Sequence, residues 1–376
     1  MEVKVPHIKL THIVYAVIGV SFLWPWNALL SASLLAKQKL AENPLASGNY
    51  SSSVMVTSTI VSLVSNFALL YLPADYCKRV KHGLLIITGS FAVLGLLGGI
   101  LSGIPWFLLL LVITAVSSLG CALVQNGAMA ITQIIPGSSH ALAIMIGQAI
   151  AGVVPPLIPM VVGDSDVKIM AVLNFLTVCF LSIAAYILFG SKQNAPFVET
   201  AKENMTNKFP ETEELKIVTS HMWGPIATIF LGFAVSLSYP VFANHVESDA
   251  IAFKLFSPLS HLVWNSGDLL GRVLCLLPQL RLNNDRWIVG YSAARFLIIG
   301  FLLALVHSEA NRDVIYLFTM LLFGTTGGFF ISNAIARVPA CVPHHLQPAA
   351  GEIVSLAIAI GLAIGSLVSF ITAALL

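Results

Sequence analysis

The chain has 376 residues, 57% of them hydrophobic and 10% charged, with a formal net charge of +2 at pH 7 and a mean hydropathy of +0.89. No soluble core needs that share of apolar residues, so the composition describes a polytopic membrane protein, and scattered charges without a basic block exclude a nucleic-acid surface. The five cysteines, Cys77, Cys121, Cys179, Cys275 and Cys341, form neither a metal-ligand spacing nor a disulfide framework, and no cofactor or metal is expected.

In chain order, apolar runs of spanning length occur at about 11–37, 52–74, 83–102, 105–135, 140–163 and 167–190. The first lacks a small-residue cleavage site, so it reads as a retained helix rather than a signal peptide. It contains Phe22-Leu23-Trp24-Pro25-Trp26-Asn27, where Pro25 removes a backbone donor and favours a kink. The two indoles lie near mid-segment, too deep for an interfacial aromatic belt; an indole there offers a flat face for stacking on a planar ring. The fourth run carries Gln125 and Asn126. These amides either bond between helices or face a cavity, where donor and acceptor side by side suit a nucleobase edge. The fifth, from Met145 to Gly152, presents small residues at helix-packing spacing and is followed by Pro155, Pro156 and Pro159.

Residues 191–220 are rich in Lys and Glu, with Pro196 and Pro210 and no apolar periodicity, and read as a partly disordered linker. Five further runs follow at about 221–245, 253–280, 286–306, 311–336 and 345–375. The expected architecture is therefore all-α, eleven transmembrane helices in a six-helix bundle (1–190), a cytoplasmic linker (191–220) and a five-helix bundle (221–376).

The 253–280 run contains Trp264-Asn265-Ser266-Gly267-Asp268-Leu269-Leu270-Gly271-Arg272. An isolated charge at a helix centre costs roughly 2.5–3.5 kcal/mol on insertion scales and faces a bundle interior or a wet cavity. Asp268 and Arg272 are one turn apart and can pair, Asn265 shares their face, and Gly267 and Gly271 allow close approach. The pair is either an internal helix tie or a substrate site. His261, two turns earlier, would titrate near neutral pH if it touched a cavity, which leaves proton coupling open.

Lys and Arg stay on the cytoplasmic side. An internal N-terminus places twelve inside (Lys4, Lys9, Lys78, Arg79, Lys81, Lys192, Lys202, Lys208, Lys216, Arg281, Arg286, Arg337) against five outside (Lys37, Lys39, Lys168, Lys254, Arg312). The sequon at Asn49 then falls outside and that at Asn204 inside. No Walker motif, nucleophile elbow or second deep carboxylate in the same helix is present, which ranks a carrier above a channel and an intramembrane hydrolase last.

Pro25-Trp26-Asn27, the Met145–Gly152 stretch, Trp264 to Arg272, Ser332-Asn333 and the helix from Ala350-Gly351 to Gly365 occur in register over nearly the whole chain and together resemble the equilibrative nucleoside transporter family. The resemblance implies a fold like the major facilitator superfamily with one helix fewer, and movement of nucleosides, sometimes nucleobases, by alternating access. It implies no enzyme activity, and a monomer in the plasma membrane or a vacuolar or lysosomal membrane. Carried over by position, Asp268 and Arg272 engage the ribose hydroxyls, Trp26 and Leu23 flank the nucleoside, Leu30 lines the route near the base, and Gln125 hydrogen-bonds the base. Asn27, Asn265 and Arg295 are structural or gating support. The chain departs from the family pattern at Trp24, in the absence of a proline after Arg295, and at Pro348 where many members have an acidic residue.

Overall fold

The computed structural model describes residues 10–72, 75–134, 139–162, 167–192, 194–203, 212–248, 250–306 and 312–376, and every regular element among them is helical. The long helices before the linker are α1 (Leu10–Ser31), α2 (Tyr50–Leu69), α3 (Tyr76–Leu97), α4 (Gly103–Ile134), α5 (Ser139–Val162) and α6 (Val167–Phe189). After it come α7 (Trp223–Ser236, resumed as Tyr239–His245), α8 (Phe253–Leu274), α9 (Asp285–Ala294, resumed as Phe296–Val306), α10 (Arg312–Cys341) and α11 (Gln347–Leu375). Ten of these described stretches are long and apolar enough to cross a membrane. The remaining one, α8, has 22 residues and fails on hydropathy alone, because it carries the polar patch. The protein is an integral, multi-pass membrane protein.

Several boundaries differ from the sequence reading. α3 starts at Tyr76 rather than near 83, because the Asp75 side chain caps it by accepting from the Lys78 N–H at 3.0 Å. Lys78, Arg79 and Lys81 read as loop charges, yet they lie on the first turns of this helix. α10 continues through Pro339 to Cys341. α8 stops at Leu274, ahead of a 3-10 turn that begins with Pro278. The linker is more ordered than its composition suggests: helices span Ala195–Glu203 and Thr212–His221. Phe197, Val198 and Val218 anchor these two helices to the main apolar core. Residues 204–211, with the Asn204 sequon, lie outside the described residues.

Several helix pairs among the described residues reach backbone contact through glycine, and two of them frame the interior. A Cβ on Gly19 would strike the Ile144 carbonyl and one on Gly147 the Ala16 carbonyl, which locks α1 to α5. On the other side of the linker the device is reciprocal. Gly267 and Gly271 of α8 sit on the Leu321 and Thr325 carbonyls, while Gly324 and Gly328 of α10 sit on those of Trp264 and Asp268. Small residues four apart let the two backbones approach where lipid supplies no hydrophobic drive between helices. Because α5 also packs on α8, α1, α5, α8 and α10 form a continuous row through the molecule. Large apolar side chains such as Leu96, Phe180, Leu297 and Val314 are exposed outside it, as a lipid-facing surface requires.

Candidate functional site

The polar stripe of α8 points into this row rather than toward lipid. Asp268 and Arg272 are each only 5% exposed, and Arg272 Nε donates to Asp268 Oδ2 at 2.7 Å. Arg272 also reaches across to α5, its Nη1 donating to the Met145 carbonyl at 2.8 Å and to Gln148 Oε1 at 3.2 Å. Asp268 Oδ1 and Arg272 Nη2 take no partner among the described residues. Protein partners thus engage Asp268 Oδ2 and Arg272 Nε and Nη1.

Both residues of the pair line a cavity of about 170 Å³ shared by residues of α1, α2, α4, α5, α7, α8, α10 and α11. Leu23, Trp26, Asn27, Gln125, Asn265, Asp268 and Arg272 all line it, so seven residues distributed over more than 240 positions of sequence share one hollow. Leu30 does not. Leu29 occupies the lining, and Leu30 packs partly buried against the apolar core.

Arg295 is also off the cavity. It sits at the break in α9, 2% exposed, where its guanidinium donates to the Gly232 carbonyl (3.1 Å), Ser236 Oγ (3.3 Å) and the Phe323 carbonyl (3.2 Å) and lies 4.9 Å from the Phe323 ring centroid. It braces α7, α9 and α10 behind the wall, through Ser236, which does line the hollow. Asn27 ties α1 to α5 by donating to the Ala151 carbonyl at 2.8 Å, and Asn265 donates to the His261 carbonyl at 2.8 Å. α1 runs unbroken through Pro25. The break beside the cavity is in α7 instead, at Leu237-Ser238, and Ser236, Leu237 and Tyr239 line the hollow on either side of it.

The aromatic wall is completed by Trp264 stacked on Tyr239, ring centroids 3.6 Å apart and planes 3° from parallel. His261 meets the Tyr239 ring edge-on at 5.5 Å and is not among the lining residues. Gln148, read from the sequence as part of a packing stretch, is a cavity residue and an Arg272 partner. Its signal was available: it is the polar residue between Gly147 and Gly152 in an otherwise apolar run.

A second buried ion pair escaped the sequence reading. Arg79 Nη1 donates to Glu352 Oε1 at 2.6 Å and to Asn126 Oδ1 at 2.5 Å, and its Nη2 to the Leu69 and Leu72 carbonyls at 2.9 Å each. This joins the end of α2 and the first turns of α3 to α4 and to α11, the latter from beyond the linker. Glu352, four residues beyond Pro348, supplies the carboxylate. Asn126 therefore binds a structural arginine, whereas its neighbour Gln125 faces the hollow.

The family model described as "Nucleoside transporter" matches residues 110–221 and 198–374. The chain belongs to the nucleoside transporter family. Its relatives include nucleoside transporter FUN26 of Saccharomyces cerevisiae, 27% identical over 96% of this chain and 84% of that protein, and equilibrative nucleoside transporter 2 of Homo sapiens, 24% identical over 98% and 97%. Equilibrative nucleotide transporter 1 of Arabidopsis thaliana is 23% identical over 96% and 85%. Among solved structures, the proton:xylose symporter XylE of the major facilitator superfamily superposes with a TM-score of 0.62 at 13% identity, over 95% of this chain and 87% of that one. A bacterial homologue of the iron transporter ferroportin gives 0.61 at 12% identity, over 98% of each. The family member described here thus has a major-facilitator-like fold in which the polar stripe of α8 faces the interior.

Proposed function

We propose that this protein is a facilitative nucleoside carrier that exposes the central cavity alternately to the two sides of the membrane. The observation that carries the reading is the half-satisfied Asp268–Arg272 pair, with Oδ1 and Nη2 uncommitted beside Leu23, Trp26 and Gln125. A nucleoside joins a planar ring to a sugar rich in hydroxyls. The carboxylate accepts from a ribose hydroxyl while the guanidinium donates to a ribose oxygen, charge-assisted bonds that are the stronger kind. Trp26 and Leu23 flank the base, and Gln125, which makes no hydrogen bond among the described residues, reads its polar edge. Leu30 lies one position beyond the lining and belongs to the approach rather than to the site.

Residues 1–190 and 221–376 are the two rocking units, with 191–220 as the linker between them, and Lys and Arg distribution puts the N-terminus and linker in the cytoplasm of a plasma, vacuolar or lysosomal membrane. Movement requires Arg272 to release Met145 and Gln148 on the opposite unit. A ribose that takes over those donors lowers the cost of release, which is how substrate binding would favour the transition. Arg295 and Asn27 hold the walls in shape and are not expected to touch substrate. The test is counterflow of labelled uridine and adenosine in liposomes holding the purified protein, with and without an imposed pH gradient. Saturable exchange independent of the gradient is expected. Exchange that requires the gradient would replace the uniport with a proton-coupled carrier, and unsaturable flux would replace the carrier with a channel.

A further inference from the structure

The wall contributed by α2 and α4 is built from hydroxyls. Ser58, Thr59 and Ser62 lie three and four residues apart on one stripe of α2, and Ser117 and Ser118 lie two turns before Gln125 on α4; all line the cavity. A membrane-helix serine commonly returns its proton to a carbonyl of its own helix. Thr59 does so to Met55 (2.8 Å) and Ser117 to Thr114 (3.2 Å), which leaves each with lone pairs only. Ser118 differs. Its hydroxyl crosses between helices and donates to Ser58 Oγ at 2.9 Å, which leaves the Ser58 proton and one lone pair uncommitted, while Ser62 Oγ makes no hydrogen bond among the described residues.

We propose that Ser58, held by Ser118, is a specificity-determining residue that reads the exocyclic and ring polar atoms of the base, and that this hydroxyl ledge makes the carrier indifferent to whether the base presents an amino or an oxo group. The inference deepens the nucleoside reading and rests on it. An amide fixes its donor and acceptor on separate atoms. A hydroxyl turns about its C–O bond to donate to an oxo group or accept from an amino group. Gln125 alone would discriminate between adenine and hypoxanthine edges, or between uracil and cytosine; a rotatable Ser58 Oγ in the same hollow cancels much of that preference.

The experiment compares four ligands as competitors of saturable uridine uptake in proteoliposomes: adenosine, inosine, cytidine, and a difluorotoluene ribonucleoside that keeps the shape of a pyrimidine nucleoside with no hydrogen-bonding edge. In the native protein the three natural nucleosides should fall within a few fold of one another. Ser58→Ala should weaken all three by about fivefold, the scale of one neutral hydrogen bond, and leave the difluorotoluene ribonucleoside unchanged. Ser58→Thr should restore the natural ligands, and Ser118→Ala should favour adenosine over inosine, because a Ser58 hydroxyl without its Ser118 partner returns its proton to a carbonyl of its own helix and is left as an acceptor. Equal weakening of the difluorotoluene ribonucleoside by Ser58→Ala would overturn the proposal and make the Ser58–Ser118 bond a helix tie. Absence of saturable uridine uptake in the native protein would overturn the carrier reading beneath it, a separate failure.

Discussion

The two buried arginine–carboxylate pairs among the described residues have the same chemistry and opposite accounts of their valences. Arg79 spends four hydrogen bonds on Glu352, Asn126 and two carbonyls, and none of these partners lines the cavity. Arg272 and Asp268 spend one edge on each other and on α5, and both residues line the hollow. Under the proposed function, the Arg79–Glu352 pair, which joins chain segments on either side of the linker, is a fastener, and the Asp268–Arg272 pair, which lines the cavity, is the receptor.

Substitutions can break that contrast. The largest effect is expected at Arg272→Ala, which removes both the receptor and the neutraliser of a buried carboxylate, a loss on the order of 3–5 kcal/mol for a broken buried pair. Uptake should fall to background while surface biotinylation still finds the protein in the membrane, and Arg272→Lys should not rescue it, because an ammonium cannot copy the fork-shaped contact. Uptake at native rates would move Arg272 out of the site. Next, Glu352→Gln should loosen the fastener. Transport should slow with substrate affinity changed less than by Asp268→Asn, and a cysteine introduced by Ser355→Cys should label faster with a thiol reagent. If affinity fell as far as for the central pair, the distinction between fastener and receptor would be lost.

Smaller effects should follow from the walls. Gly147→Val drives a branched side chain into the Ala16 carbonyl, an overpacking cost of about 1–3 kcal/mol, visible as a lower melting temperature in detergent. Gln125→Ala should shift the ranking among bases by a few fold and leave ribose recognition alone; an equal loss for every nucleoside would count against base reading. The smallest change is expected at Asp75→Ala, about 1 kcal/mol for a lost helix cap. Partial burial pushes the Asp75 carboxyl up, but hydrogen bonds from Lys78 outweigh it and hold it below the usual carboxylate range. Its contribution should thus be present at neutral pH and vanish only as acid titrates it from below that range, so the melting temperatures of Asp75→Ala and native protein should converge in acid.

The sequence by itself determined the helix inventory and the central pair. Spanning length and hydropathy are local properties, and an Asp and an Arg one turn apart in an apolar run announce an interior face without any knowledge of neighbours. Only the tertiary structure decided which carboxylate meets Arg79, because Glu352 is 273 positions away. It also separated Leu29 from Leu30 and Gln125 from Asn126. Neighbours on a helix differ by about 100° in direction, and the choice of which one faces the hollow is made by the glycine contacts that set each helix's rotation against its partner.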